Sequence, residues 1–121
     1  MERSELEVTV RKRDGVAVVD LRGEINSAAE QALEGAYAEA AADGVSSVVL
    51  NFAAAEYINS TGIALIVGLL AQARAQGVKV AACGLSDHYR EIFEITRLAD
   101  FMTITDTEDG ALSAADRSND A

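Results

Sequence analysis

The segment Tyr57-Ile58-Asn59-Ser60-Thr61-Gly62-Ile63-Ala64-Leu65-Ile66-Val67-Gly68-Leu69-Leu70 decides how the chain is read. It follows a strand-like run, Val48-Val49-Leu50-Asn51-Phe52, and opens with small polar residues and a glycine. Asn, Ser and Thr side chains accept hydrogen bonds from the free N–H groups of a helix's first turn. The spacing therefore predicts a helix over residues 60–76, stopped by Gly77 in the left-handed conformation. Ile63, Ile66, Val67, Leu70 and Ala73 recur at helical spacing and predict its buried face. Ala64, Leu65 and Leu69 lie off that face and are apolar too. Such a helix is either deeply buried or presents a binding surface.

Two hydroxyls, Ser60 and Thr61, thus fall at the positive end of a helix. An anion there is stabilised by free amides and the helix dipole, by about 0.3–1 kcal/mol at an exposed site. A phosphate on one of these hydroxyls would bring a charge of about −2 beside an apolar shoulder without disrupting the fold. Taken alone, Asn-Ser-Thr-Gly fits an ordinary capped helix better than a regulatory site.

Working outward, Leu6, Val8 and Val10 alternate with polar residues and predict a half-exposed first strand. Asp14-Gly15 supplies a hairpin turn. The apolar run Val16-Ala17-Val18-Val19-Asp20-Leu21 predicts a central second strand covered on both faces. Ser27 and Glu30 have capping-box spacing and start a helix that buries Leu33, Ala36, Tyr37 and Ala40 and is closed by Gly44. A third strand over residues 46–52 follows, and a helix between strands implies a parallel crossover.

After the Ser60 helix come a strand over residues 78–83, a short helix capped by Ser86, and a short strand over 101–104. A weak last helix begins at the Thr105…Glu108 capping-box spacing. The order β-β-α-β-α-β-α-β-α predicts one α/β domain: a mixed, mostly parallel sheet of about five strands with about four helices. Residues 1–115 form the domain, and the tail 116–121 lacks core-forming residues and is expected to fray.

Composition narrows the function. A chain of 121 residues, half of them hydrophobic, suffices for one core without metal or disulfide staples. Its single cysteine, Cys83, fits a buried thiol and a reducing cytoplasm. Met1-Glu2-Arg3-Ser4 has no apolar signal region, and no apolar run approaches the roughly 20 residues a membrane span needs. A net charge of −10 argues against direct nucleic-acid or anionic-membrane partners and favours a basic protein surface.

Signs of an enzyme are few. Neither phosphate-binding glycine loop occurs, and G-x-S-x-G is missing, so Ser60 is not in a nucleophile elbow. One histidine, His88, and one cysteine cannot assemble a nitrogen/sulfur metal site. His88 sits beside Asp87 and Arg90 on an expected surface helix, which fits a solvated imidazole better than a base for Ser60. The residues predict no catalytic group, cofactor or metal.

Together these pieces resemble the STAS domains, and within them the bacterial anti-sigma-factor antagonists. The resemblance spans Leu6 to Leu112. Leu21-Arg22-Gly23-Glu24-Ile25-Asn26 resembles the family's L-x-G-E-[IL]-D, and Tyr57-Ile58-Asn59-Ser60-Thr61-Gly62-Ile63 its phosphorylation loop, [FY]-[IM]-D-S-[ST]-G-[LI]. Residues 91–98 are similar to a K-x-x-F-x-x-x-x-L region.

The resemblance implies a switch. An anti-sigma factor that is itself a serine kinase would phosphorylate Ser60, with Thr61 as second candidate, and a phosphatase would reset it. The unphosphorylated form would hold the anti-sigma factor through Gly23, Glu24, Asn26, Asn59, Ser60, Thr61, Gly62 and Leu65, freeing the sigma factor. Self-association as a homodimer stays open.

Two departures matter. Asn59 and Asn26 stand where the family has Asp, which removes two negative charges near Ser60. They leave room for a non-switching STAS module, a scaffold in a stress-sensing assembly or an accessory subunit of a transporter. A third reading is a small nucleotide- or lipid-binding protein. The loop holds no basic residue to neutralise a phosphate, and the nearest in sequence, Arg74, lies well down the helix.

Overall fold

The computed structural model describes residues 5–13 and 15–119. Five strands form one sheet in the order of the chain: β1 (Glu7–Arg13), β2 (Val16–Ile25), β3 (Ser47–Ile58), β4 (Lys79–Cys83) and β5 (Thr103–Thr105). β1 and β2 are antiparallel, and every later pairing is parallel. The helices are α1 (Glu30–Ala40), α2 (Ser60–Gln76), α3 (Asp87–Ile95) and α4 (Glu108–Asn119). This is the mixed, mostly parallel α/β domain that the pattern predicts. Of the expected Asp14–Gly15 turn, Asp14 lies outside the described residues, and Gly15 has the positive φ, +83°, that the turn requires.

The core divides across the sheet. On one face Ala17, Val19, Leu21, Val48, Leu50 and Phe52 meet α1, α2 and α3. Phe93 of α3 packs edge-on against Phe52 at 5.8 Å, an arrangement suited to the ring quadrupoles. Tyr37 of α1 donates to Gln76 Oε1 of α2 at 2.7 Å, tying the two helices together. On the other face Val16, Val18, Val49, Ala81 and Cys83 meet Ala111 of α4. The second strand is therefore covered on both sides, as its nearly continuous apolar run implies.

Several local expectations need correction. In α2 the buried residues are Gly62, Ile66, Leu69, Leu70 and Ala73, whereas Val67 is 46 % exposed. At 3.6 residues per turn, positions 62, 66, 69 and 73 share one face, and Val67 falls outside it. The buried arc is rotated because Gly62, not Ile63, is the point of closest approach to the sheet.

β3 extends six residues past the expected Phe52, held by its pairing with β2 up to Ile25↔Ile58. Asn26, not Ser27, caps the short 3-10 turn Ser27–Ala29 that leads into α1: its Oδ1 accepts from Ala28 N–H at 3.0 Å. α1 ends at Ala40, and the turn beyond it uses positive φ at both Asp43 and Gly44. Thr107, not Thr105, caps α4, its hydroxyl accepting from Gly110 N–H. The backbone of α4 is helical through Asn119, four residues beyond the expected domain limit. Residues 120 and 121 of the expected tail lie outside the described residues.

Candidate functional site

The site forms where β2 and β3 end. Their parallel register sets Gly23 beside Ala55, Glu24 beside Tyr57 and Ile25 beside Ile58. Segments 23–26 and 59–62, more than thirty residues apart in sequence, therefore leave the sheet side by side. The register slips between Asp20 and Arg22 and between Gly23 and Glu24, each time with one extra residue in β3, so this end of β3 bulges against β2; Gly23 adopts φ +104°.

Three contacts fix the turn before α2. Asn59 N–H donates to the Ile25 carbonyl at 3.2 Å, anchoring the turn to the end of β2. Asn59 Oδ1 accepts from Gly62 N–H at 2.8 Å, which makes Asn59 the N-cap. Gly62 is buried, and a Cβ there would lie 2.1 Å from the Ile25 oxygen, so only glycine lets the first turn sit this close.

A fourth contact comes from α3. β4 ends opposite Asn51, so the last part of β3 has no strand on that side. There Ile58 N–H donates to the Tyr89 hydroxyl at 2.9 Å.

Because Asn59 takes the capping role, Ser60 and Thr61 are released from it. Both are exposed, and among the described residues neither hydroxyl has a hydrogen-bond partner. Their backbone amides are likewise unpartnered, as the first N–H groups of a helix are unless something external meets them. A hydroxyl at the positive end of a 17-residue helix, with free amides beside it, can carry an anion at little cost to the fold.

Around Ser60 lie the other expected residues. Asn26 Nδ2 reaches Glu24 Oε1 at 3.5 Å, leaving Glu24 half-buried at the rim. Arg22, Glu56, Asn26 and Asn59 line an open groove of about 1140 Å³. Leu65 is half-buried against the core, so its role at a surface is limited to an edge. The exposed apolar groups are instead Tyr57, 54 % exposed, and Val67, with Ala64 between them on the outer side of α2. The sequence reading left Tyr57 and Tyr89 out of the site: the extra residues of β3 break its alternation before Tyr57, and nothing local points Tyr89 at Ile58.

The groups that could serve chemistry elsewhere are engaged otherwise. His88 lies on α3 with its ring edge 4.9 Å from Tyr89 and makes no hydrogen bond to Ser60. The Cys83 thiol is buried and pushed up to about 11, chiefly by burial, with Glu108 and Asp20 adding to it. It approaches Asn51 Oδ1 at 3.7 Å, and Asn51 Nδ2 donates to Asp20. Asp20 in turn accepts from Arg11 Nε and Nη2, and Arg11 reaches on to Glu108 of α4. Arg11 holds the Asp20 carboxyl below the usual carboxylate range. No group of three or more His, Cys, Asp or Glu among the described residues could hold a metal, and no described helix is long and apolar enough to cross a membrane.

This sheet, with an exposed hydroxyl at the start of the helix after its third strand, defines a STAS-type α/β domain. The STAS domain family matches residues 7–111, and the chain belongs to it. Among its relatives is a Bordetella bronchiseptica protein, BtrV, named as a candidate anti-sigma factor antagonist; it is 29 % identical over 109 residues, 90 % of this chain and 94 % of that protein. The structure is similar to that of an anti-sigma factor antagonist from Mycobacterium paratuberculosis, with TM-score 0.74 and 28 % identity, covering 92 % of this chain and 94 % of that one. It also shares its fold with a sulfate transporter family protein from Wolinella succinogenes, TM-score 0.78 at 16 % identity, covering 90 % and 91 % of the two chains.

Proposed function

We propose that this protein is a phosphorylation-switched antagonist of an anti-sigma factor, working in the cytoplasm as a binding module without a catalytic residue of its own. In its unphosphorylated form it binds an anti-sigma factor that is also a serine kinase, and the sigma factor is released. The binding surface comprises Gly23, Glu24, Asn26, Asn59, Ser60, Thr61 and Gly62, edged by Leu65, with exposed Tyr57 and Val67 extending it. The kinase phosphorylates Ser60, the complex dissociates, and a phosphatase restores the hydroxyl.

The observation that carries this reading is the state of Ser60: exposed, unpartnered and first in α2, because Asn59 already caps the helix. A dianion there is tolerated by the isolated domain but must be desolvated or repelled in a fitted interface. Each loss of about 1.4 kcal/mol of binding costs tenfold in affinity. Glu24 and Glu56 near the site suit a partner that brings basic residues.

A second reading is a non-switching STAS module in a scaffold or a transporter. The observation that favours it is the employment of Asn59 and Asn26 as neutral caps, so that neither supplies a carboxylate beside Ser60. Capture from source-cell lysate with wild type, Ser60→Ala and Ser60→Asp separates the two. Recovery of an ATP-binding anti-sigma kinase by the alanine form, and much less by the aspartate form, supports the switch. Equal recovery of scaffold or transporter subunits by all three baits supports the second reading and sinks the first.

A further inference from the structure

At the opposite pole of the sheet, where β3, β4 and β5 begin, lies a pocket of about 390 Å³. It exists because β5 joins β4 only from Ala81 onward, while β4 pairs with β3 from Lys79. The first two residues of β4 thus have a strand on one side alone. The last turn of α2 supplies Arg74 to this gap, and the segment before β5 supplies Phe101.

Charge is the first reason to see more than a packing gap. The chain carries a net charge of −10, yet Arg74 and Lys79 both line this pocket. Neither has an ion-pair partner among the described residues, a state they share with Arg22, whereas Arg11, Lys12, Arg90 and Arg97 are paired. Asp100 also lines the pocket, but Arg97 holds its carboxylate at 2.7 Å.

The second reason is a ring. Phe101 is 54 % exposed, and the Arg74 guanidinium carbon lies 5.6 Å from its ring centroid. A guanidinium stacked on a ring keeps its N–H edge free for a carboxylate or phosphate.

Ser47 stands in the pocket wall, 2 % exposed, and its hydroxyl is a buried polar atom without a hydrogen-bond partner among the described residues. Its oxygen is closed off from the pocket, so it is a local weakness of the wall and not a ligand contact. Two carbonyls at the end of α2 are already taken: Val78 N–H donates to Ala73 O at 2.9 Å and Gly77 N–H to Arg74 O at 3.2 Å. The charged side chains that face the gap without an ion pair, Arg74 and Lys79, are donors.

We propose that this pocket binds a small organic anion with a flat ring, its carboxylate or phosphate held by Arg74 and Lys79 and its ring set against Phe101. The volume falls near the lower end of the roughly 300–1,000 Å³ typical of ligand pockets, which suits one ring with a charged substituent. The site is separate from Ser60 and does not depend on how the opposite pole is used.

The test is an amide NMR titration of the full chain with phenyl phosphate, benzoate, inorganic phosphate and benzyl alcohol. Phenyl phosphate or benzoate should give saturable shifts at Ser47, Lys79, Phe101 and Thr103, with Kd about 1 mM or tighter. The ring-free anion and the uncharged ring should each bind about tenfold more weakly. The double variant Arg74→Gln, Lys79→Gln, both exposed positions, should keep the fold and lose about tenfold in affinity. Ser47→Ala removes an unpaired buried hydroxyl that no ligand reaches, so it should raise the melting temperature and leave the affinity unchanged. Absence of saturable shifts in the pocket overturns the proposal. So does equal binding by the double variant, or by inorganic phosphate alone.

Discussion

The first turn of α2 lies directly on the end of β2: a Cβ on Gly62 would stand 2.1 Å from the carbonyl oxygen of Ile25. That approach places the Ser60 turn against segment 23–26 and rotates the whole helix so that Ile66, Leu69 and Ala73 face the sheet. Gly62→Ala must push helix and strand apart, because the obstacle is backbone rather than a side chain that can swing away. The expected cost is about 2–4 kcal/mol in chemical denaturation. Gly68 in the same helix is the control: it is exposed and an added Cβ there meets nothing within 4 Å. Gly68→Ala should stabilise by about 0.5–1 kcal/mol. Equal effects at the two glycines would mean that helix propensity, not contact with Ile25, governs both.

Asn59 separates stability from signalling. Asn59→Ala removes the Oδ1 that accepts from Gly62 N–H and should cost about 1 kcal/mol. Asn59→Asp keeps the cap and adds a charge at the positive end of α2, so it should be neutral or stabilising by about 0.3–1 kcal/mol. If Ser60 is the phosphoacceptor and a carboxylate beside it assists the kinase, Asn59→Asp should also be phosphorylated faster than wild type. Phosphate incorporation by the captured kinase, with Ser60→Ala as blank, measures it. A slower Asn59→Asp would show that the kinase is adapted to the amide.

How much of this could be read from residues alone differs between fold and site. The order of strands and helices along the chain followed from runs such as Val16–Leu21 and Val48–Phe52, and the caps Ser86 and Gly77 stand where expected. The adjacency of Gly23 and Ser60 came from a motif resemblance, and the register of β2 and β3 supplies its physical cause. The extra length of β3 was hidden because Ala53-Ala54-Ala55 carries no strand signal of its own and is held by its neighbour. Leu69 and Val67 exchanged places because every residue of that stretch is apolar, so sequence could not set the phase of the helix. The link from Tyr89 to Ile58 is tertiary, and no local pattern announces it.

That link yields a prediction about local rather than global stability. Tyr89→Phe leaves the ring in place and removes only the acceptor for Ile58 N–H. Global stability should fall by about 0.5–1.5 kcal/mol. Amide exchange at Ile58 should accelerate more than at Val48 or Leu50, where β3 has a strand on each side, since the end of β3 opens independently of that part. Uniform acceleration along β3 would show that Tyr89 supports the sheet as a whole instead of this turn.

The Arg11 bridge gives the acid dependence. Arg11 joins Asp20 of β2 at 2.7 Å and Glu108 of α4 at 2.7 Å, so one side chain on β1 ties the sheet to its last helix. The hydrogen bond from Arg11 is the chief reason that Asp20 titrates below its ordinary range, with Asn51 contributing. A carboxyl with a depressed folded-state pKa stabilises the fold above its unfolded value, about pH 4, and loses that contribution as pH falls through the folded value. Arg11→Gln should therefore raise the Asp20 pKa and move the acid unfolding midpoint to higher pH. With the Arg11 side chain 43 % exposed, the loss at neutral pH should be only about 0.5–1 kcal/mol. Circular dichroism across an acid titration, with Asp20 followed by NMR, reads both effects. An Asp20 pKa unmoved by Arg11→Gln would assign its depression to Asn51 instead.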